Sequence, residues 1–317
     1  MTDSVLPRPA DADLSPQAQA VRPARLRGLV WKLAIATFLL MAVGSATRVM
    51  NAGLACPDWP LCYGQLVPTQ QMNLQVFLEW FHRLDAMLIG LTTLALVGLA
   101  WGWRRSLPGW LPWATLLALA LVLLQGLLGG LTVTEMLRFD LVTAHLGTAL
   151  LFFCTLLVIG VGLSPYQGMG SVGKLPWLGG SAVLAIYGQS LLGALVGSRW
   201  ALHQCLNAAQ LCAVMNSHLL GIIPATLLTL AVPLLAWRTP ALHPALRTLA
   251  NWAAALVALQ LLVGFATFRF HLQVEPLTVS HQAIGAALLG VLTVFTALAW
   301  RDHRSGTLRD RALPLLP

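Results

Sequence analysis

The sequence predicts an all-α integral membrane protein: eight transmembrane helices in two pseudo-twofold four-helix bundles. Three observations predict it. Of the 317 residues, 57% are hydrophobic and only 9% are charged, against about 25% charged in a soluble globular chain. Eight apolar stretches reach the roughly 20 residues that a spanning helix needs. Histidines also recur at a fixed spacing in the two halves: His82 to His145 is 63 residues, and His218 to His281 is again 63. Self-similarity of this kind marks a repeated structural unit.

The spans are expected at about 29–49, 77–101, 111–133, 141–163, 177–197, 215–236, 249–268 and 279–300. The interruptions are short and hold the polar, Gly and Pro residues. Residues 1–28 have no periodic apolar face and read as a mobile cytoplasmic tail. The basic start and long apolar run do not make a signal peptide. The run is too long for its apolar region, and Ser45-Ala46-Thr47-Arg48 is a poor cleavage site. The expected organisation is an N-terminal bundle over 29–163, a C-terminal bundle over 164–303 and a cytoplasmic tail over 304–317.

The net charge of +8 has a topological meaning here rather than a nucleic-acid one. Arg8, Arg22, Arg25, Arg27 and Lys32 precede or open the first span; Arg104, Arg105, Lys174, Arg238 and Arg247 follow even-numbered spans, and Arg301, Arg304, Arg309 and Arg311 follow the last. All fall on one side, which the positive-inside rule makes cytoplasmic, together with both termini. Arg48, Arg83, Arg138, Arg199 and Arg269 lie at the opposite ends. Four spans separate the halves, so the two repeats share one orientation about an axis along the membrane normal. No soluble domain or nucleotide-binding glycine loop is evident.

The first span ends in Gly44-Ser45-Ala46-Thr47-Arg48. The outer loop that follows, Asn51 to Gly64, is rich in Pro and Gly and contains Cys56 and Cys62. The second span opens on Leu78-Glu79-Trp80-Phe81-His82-Arg83-Leu84-Asp85. Ionisable groups at membrane depth are costly and mark a functional site. On a helix Glu79 and His82 share a face, so a metal-ligating imidazole stands beside a carboxylate able to handle protons. The plainer reading is a snorkelling helix end, with Arg83 reaching for head groups.

The third span ends in Gln125-Gly126-Leu127-Leu128-Gly129-Gly130, and the fourth begins Thr143-Ala144-His145. The fifth contains Gln189 to Gly193, and the sixth begins Asn216-Ser217-His218. The seventh contains Gln260 to Gly264, and the eighth begins Val279-Ser280-His281-Gln282. The Gln-x-x-x-Gly element therefore recurs before His145, before His281 and in the fifth span. Within each half the two histidines lie near the outer ends of even-numbered spans, at similar depth, so they can face each other across a bundle core. Facing imidazoles in a helical bundle suit six-coordinate haem. Gly129, Gly130, Gly147, Gly193, Gly221, Gly264 and Gly285 would let a porphyrin approach the backbone, though small residues also serve simple helix packing. Outer arginines would meet haem propionates. His203, His243, His271 and His303 read as solvated residues of loops or tails.

Cysteines on the outer face meet an oxidising compartment. Cys56–Cys62 and Cys205–Cys212 would each close a short loop, either as staples or, nearer Glu79, as a redox-active pair. Cys154 is left as a small hydrophobe within the fourth span.

Together these residues resemble the haem A synthase family. The resemblance runs from about Gly44 to Gly285. It rests on Thr47-Arg48, the loop Gly53-Leu54-Ala55-Cys56-Pro57-Asp58-Trp59-Pro60-Leu61-Cys62, the run Glu79-x-x-His82-Arg83 and the other three histidines. It implies oxidation of the C8 methyl of haem O to a formyl group, giving haem A for a terminal oxidase. It implies His82 and His145 at the substrate haem, and His218 and His281 as ligands of a resident haem b that relays electrons. It makes Glu79 the acid–base or cation-stabilising group, with Arg48 and Arg83 as candidates for substrate or propionate binding. Cys56 and Cys62 match a loop pair tied to turnover, and Cys205 and Cys212 match forms with cysteines in both loops. The membrane implied is the bacterial inner membrane, and the upstream partner is a haem O synthase; self-association stays open. The uneven placement of carboxylates fits this division: Glu79 and Asp85 lie beside His82, and none lies beside the C-terminal histidines. The readings that compete are a di-haem cytochrome b relaying electrons, a haem carrier and a structural partner of oxidase assembly.

Overall fold

The computed structural model describes the backbone of residues 16–198 and 209–312 and the side chains of 21–198 and 213–305. Within them the fold is helical, with eight helices long and apolar enough to cross a membrane. These are α1 (Pro16–Val49), α2 (Leu74–Gly102), α3 (Leu111–Thr134), α4 (Phe139–Leu163), α5 (Leu175–Val196), α6 (Ala209–Arg238), α7 (Pro244–Arg269) and α8 (Glu275–Ala312). Prolines open α3, α5 and α7 in their first turns, where the missing N–H costs nothing. At the start of α2, Asn73 Oδ1 accepts from the Val76 N–H at 3.0 Å.

The boundaries differ most from expectation at the two ends of the chain. Helix α1 begins at Pro16, inside the stretch expected as a tail, and α8 runs on to Ala312. Both extensions carry several arginines, so they are amphiphilic continuations rather than apolar spans. Hydropathy ends a span at the membrane surface, whereas a helix continues wherever its backbone bonds can be made.

Each half closes into a ring of four. In the first, α1 packs on α2, α2 on α3, α3 on α4 and α4 on α1; α5, α6, α7 and α8 repeat the cycle. The halves meet where α1 and α4 pack on α8 and where α4 packs on α5. The repeat extends to the turns. Between α3 and α4, Met136 and Leu137 have φ 52° and 60°; between α7 and α8, His271 and Leu272 have φ 53° and 60°. Consecutive left-handed L-residues are uncommon, so their recurrence at matching places is a second signature of duplication. Both turns close alike: Leu137 N–H donates to Thr132 O at 2.8 Å, and Leu272 N–H to Thr267 O at 3.0 Å.

A buried carboxylate fastens the linker between the halves. Asp302, fully buried near the end of α8, accepts from Tyr166 Oη at 2.8 Å, Met169 N at 3.0 Å and Gly170 N at 2.6 Å. Arg301 donates to the carbonyls of Val161 and Ser164. The polar ends of α4 and the linker backbone are thereby satisfied, as buried polar groups require.

Candidate haem sites

Helix register puts one histidine of each even-numbered helix against a glycine of the helix before it. A Cβ at Gly44 would stand 2.8 Å from His82 Nε2; at Gly129, 3.2 Å from His145 Cε1; at Gly193, 3.1 Å from His218 Cε1; at Gly264, 2.7 Å from His281 Cε1. The same contact is thus built four times, and three of these glycines follow a Gln by four residues. Those glutamines lie one helical turn from their glycines and reach the rings. Gln125 Nε2 lies 3.1 Å from His145 Nε2, Gln189 Nε2 3.1 Å from His218 Nδ1, and Gln260 Nε2 3.3 Å from His281 Nε2.

The rings pair within each half. The His82 and His145 ring centres are 6.4 Å apart. Two metal–nitrogen bonds of roughly 2 Å, each running about 1.1 Å on to a ring centre, would give about 6 Å. His218 and His281 both line a cavity of about 370 Å³ in the second half. The Nδ1 atoms of His145 and His281 are buried without a hydrogen-bond partner, which leaves each ring a free nitrogen. Among the described residues no three His, Cys, Asp or Glu side chains converge as a metal site. Paired imidazoles suit a metal whose other four positions are filled by a macrocycle. The residues present fit haem.

Glu79 is buried at 4% exposure and ties α2 to the outer loop. Its Oε2 accepts from Cys56 N at 2.7 Å, and its Oε1 from Arg83 Nη2 at 2.5 Å. Arg83 also donates from Nη1 to Asp58 O and Leu61 O, both at 2.6 Å. The loop is closed by the Cys56–Cys62 disulfide, whose cysteines are both buried, and Trp80 Nε1 donates to Leu66 O at 2.7 Å. The Trp59 ring packs on α3, 3.1 Å from where a Gly130 Cβ would lie. The neighbouring residue, Gly129, is the one that faces His145. The loop is therefore pinned over the first histidine pair from α2 and α3 together. The Asp58 pKa is lowered from its ordinary value, chiefly by the Gly64 N–H, with the Tyr63 N–H and the Arg83 charge adding to it.

Arg48 lies elsewhere than Arg83. Although it belongs to α1, it lines the second-half cavity with His218 and His281, and its Nη2 donates to Gln282 Oε1 at 3.3 Å. Its guanidinium lies 3.0 Å from where a Gly197 Cβ would stand. Of the Cys205–Cys212 pair expected from the sequence, Cys205 lies outside the described residues, as does His203, and Cys212 falls in the first turn of α6 with its side chain outside them. Cys154 is a free thiol beside Thr293 Oγ1 at 3.4 Å. The sequence signalled the glutamines through their repeat without saying what they touch. The crossing of Arg48 had no local signal.

A family model described as COX15-CtaA, cytochrome oxidase assembly protein, matches residues 27–293. The chain belongs to that family. The match covers α2 to α7 whole, most of the spanning part of α1, the first half of α8, and all four histidines. Among curated relatives, the chain is similar to the haem A synthase of Shewanella oneidensis, 28% identical over 88% of this chain and 98% of that protein. It is likewise similar to the haem A synthase of Caulobacter vibrioides, 29% identical over 87% and 96%. That of Rhizorhabdus wittichii is 27% identical over 95% and 97%.

Proposed function

We propose that this membrane protein is a haem A synthase that oxidises the C8 methyl of haem O to a formyl group. One observation carries the reading. The family match spans both halves, and in each half two histidines share a site, one of them, His145 or His281, with a buried ring nitrogen that has no hydrogen-bond partner. The end-to-end similarity to three haem A synthases supports the same activity.

The first half takes the substrate. His82 and His145 hold haem O, and the disulfide loop with Trp59 covers that site. Converting a methyl to a formyl group removes four electrons, which an external acceptor must take up, and adds one oxygen atom from water or dioxygen; two hydroxylations give a gem-diol, which loses water to the aldehyde. Positive charge develops at the carbon as each hydride equivalent leaves, and a fixed carboxylate nearby stabilises it. Glu79 is suited to that electrostatic part. Its contacts with Arg83 and the Cys56 N–H hold it in place and favour a fixed charge over a swinging proton carrier.

The second half would hold haem b through His218 and His281, and that group would supply one-electron transfer. Arg48 and Gln282 face the cavity, where a guanidinium meets the propionate carboxylates. The membrane is the bacterial inner membrane with both termini cytoplasmic, the side on which most Lys and Arg fall. A haem O synthase supplies the substrate.

The test is aerobic expression of the chain with a haem O source in a host that makes no haem A of its own. Accumulation of haem A is expected. Low-spin haem b in the membranes with no haem A, electron carriers being present, would replace this reading with electron relay.

A further inference from the structure

Three of the four site histidines have a glutamine on a ring nitrogen, and His82 does not. The pattern is positional. Gln125, Gln189 and Gln260 each stand four residues before the glycine that faces their histidine. The residue four before Gly44 is Leu40, and it packs into the hydrophobic core. No hydrogen bond to His82 is found among the described residues. Ser45, next to Gly44, is itself buried without a partner, so it makes no bond to His82 either.

A hydrogen bond to one ring nitrogen fixes the tautomer and orientation of a ligating histidine and raises its basicity as a ligand. With the amide carbonyl accepting the ring N–H, the opposite ring nitrogen keeps its lone pair for the metal; Gln125 Oε1 and Gln260 Oε1 are buried without a partner, and a half-turn of either amide brings that oxygen to the ring. Gln125, Gln189 and Gln260 thus act as positioning residues for His145, His218 and His281. His82 is oriented by packing alone. It lies in the half whose occupant has to enter as substrate and leave as product, whereas both histidines of the other half are held.

From this asymmetry we infer that His82 is the releasable ligand of the N-terminal site, with His145 the anchored one, and that Leu40 keeps it releasable. Product release starts with loss of the His82–iron coordinate bond and ends with loss of the His145–iron bond; each imidazole keeps its electron pair and no electron is transferred. The inference rests on the haem A synthase reading and adds an order of events within that site.

The test is haem release from the purified full-length protein, loaded with haem b and haem O, to excess apomyoglobin, each haem being followed by chromatography. In the wild type, haem O leaves faster than haem b. Leu40→Gln slows haem O release on the order of tenfold, the scale of second-shell partners at metal sites, and moves its spectrum toward low spin. Haem b release stays unchanged. Gln125→Leu, which gives His145 the bare surroundings of His82, speeds haem O release by a similar factor. Unchanged haem O release in a loaded Leu40→Gln protein overturns the inference. So does unchanged release in Gln125→Leu, which decides the matter alone if Leu40→Gln does not accumulate. If the wild type itself binds no haem O, the reading of the N-terminal site fails, and that result is distinct from either variant's.

Discussion

Arg48 and Gly197 hold equivalent places in the two halves, each four residues after a glycine that faces a histidine, and they touch each other. The Arg48 guanidinium fills the space that the missing Gly197 side chain leaves, 3.0 Å from where its Cβ would be. An arginine in one copy and a glycine in the other turn a symmetric scaffold into an asymmetric one. A cation from the first half is thereby delivered into the cavity of the second.

Arg48→Gln is therefore expected to weaken the occupant of the second half while sparing the first. Loss of a hydrogen bond to a charged group costs about 1.5–3 kcal/mol, so haem b affinity should fall on the order of tenfold or more. Removing the positive charge should also lower the haem b midpoint potential. Gly197→Ala should act in the same direction but more mildly, by displacing the guanidinium. Redox titration of the purified variants checks both.

Glu79→Ala and Glu79→Gln should part company. Alanine leaves Arg83 and the Cys56 N–H without their shared acceptor; removing one partner of a buried ion pair costs about 3–5 kcal/mol. Thermal unfolding should shift down markedly, and the loop should loosen. Glutamine keeps one acceptor oxygen and most of the fold, yet removes the charge, so it should retain bound haem while haem A formation falls on the order of a hundredfold. Melting curves set beside haem chromatography separate the two effects.

Substitutions at glycines should sort by what faces them. Gly264→Ala places a Cβ 2.7 Å from His281 Cε1 and forces the ring aside, an overpacking cost of about 1–3 kcal/mol with disturbed low-spin haem b bands. Gly126→Ala and Gly188→Ala meet nothing within 4 Å and should leave the spectrum unchanged. Optical spectra of the three variants check the ordering.

Acid should open the outer loop late. Asp58 Oδ1 and Oδ2 accept from the N–H groups of Tyr63 and Gly64 at 2.6 and 2.7 Å, and the Asp58 pKa is lowered in the folded protein. A lowered folded pKa contributes stability that is full above the unfolded value of about 3.9 and is lost as pH falls through the folded value. The Tyr63 and Gly64 amides should stay protected from hydrogen exchange down to about pH 4. Protection already lost at about pH 5 would contradict the clasp.

The spans and the histidine repeat were legible in the sequence because both are local or periodic: apolar runs for one, equal spacing for the other. Glu79, His82 and Arg83 stood out because charges at membrane depth are costly. The glutamines were visible as a repeat, but their contacts with the rings depend on how α3 meets α4, α5 meets α6 and α7 meets α8. Arg48 reads as one more outer arginine until the packing of α1 on α8 carries it across the interface between the halves. The Asp302 clasp was equally hidden, since it joins residues more than 130 positions apart.

The division of labour between the halves is tested most directly by the haem profile of His145→Ala beside His281→Ala, each purified from aerobic cells supplied with haem O. The account predicts that His145→Ala keeps haem b and yields no haem A, whereas His281→Ala loses haem b. If His145→Ala instead loses haem b, or still makes haem A at the wild-type level, the assignment of substrate to the first half is contradicted.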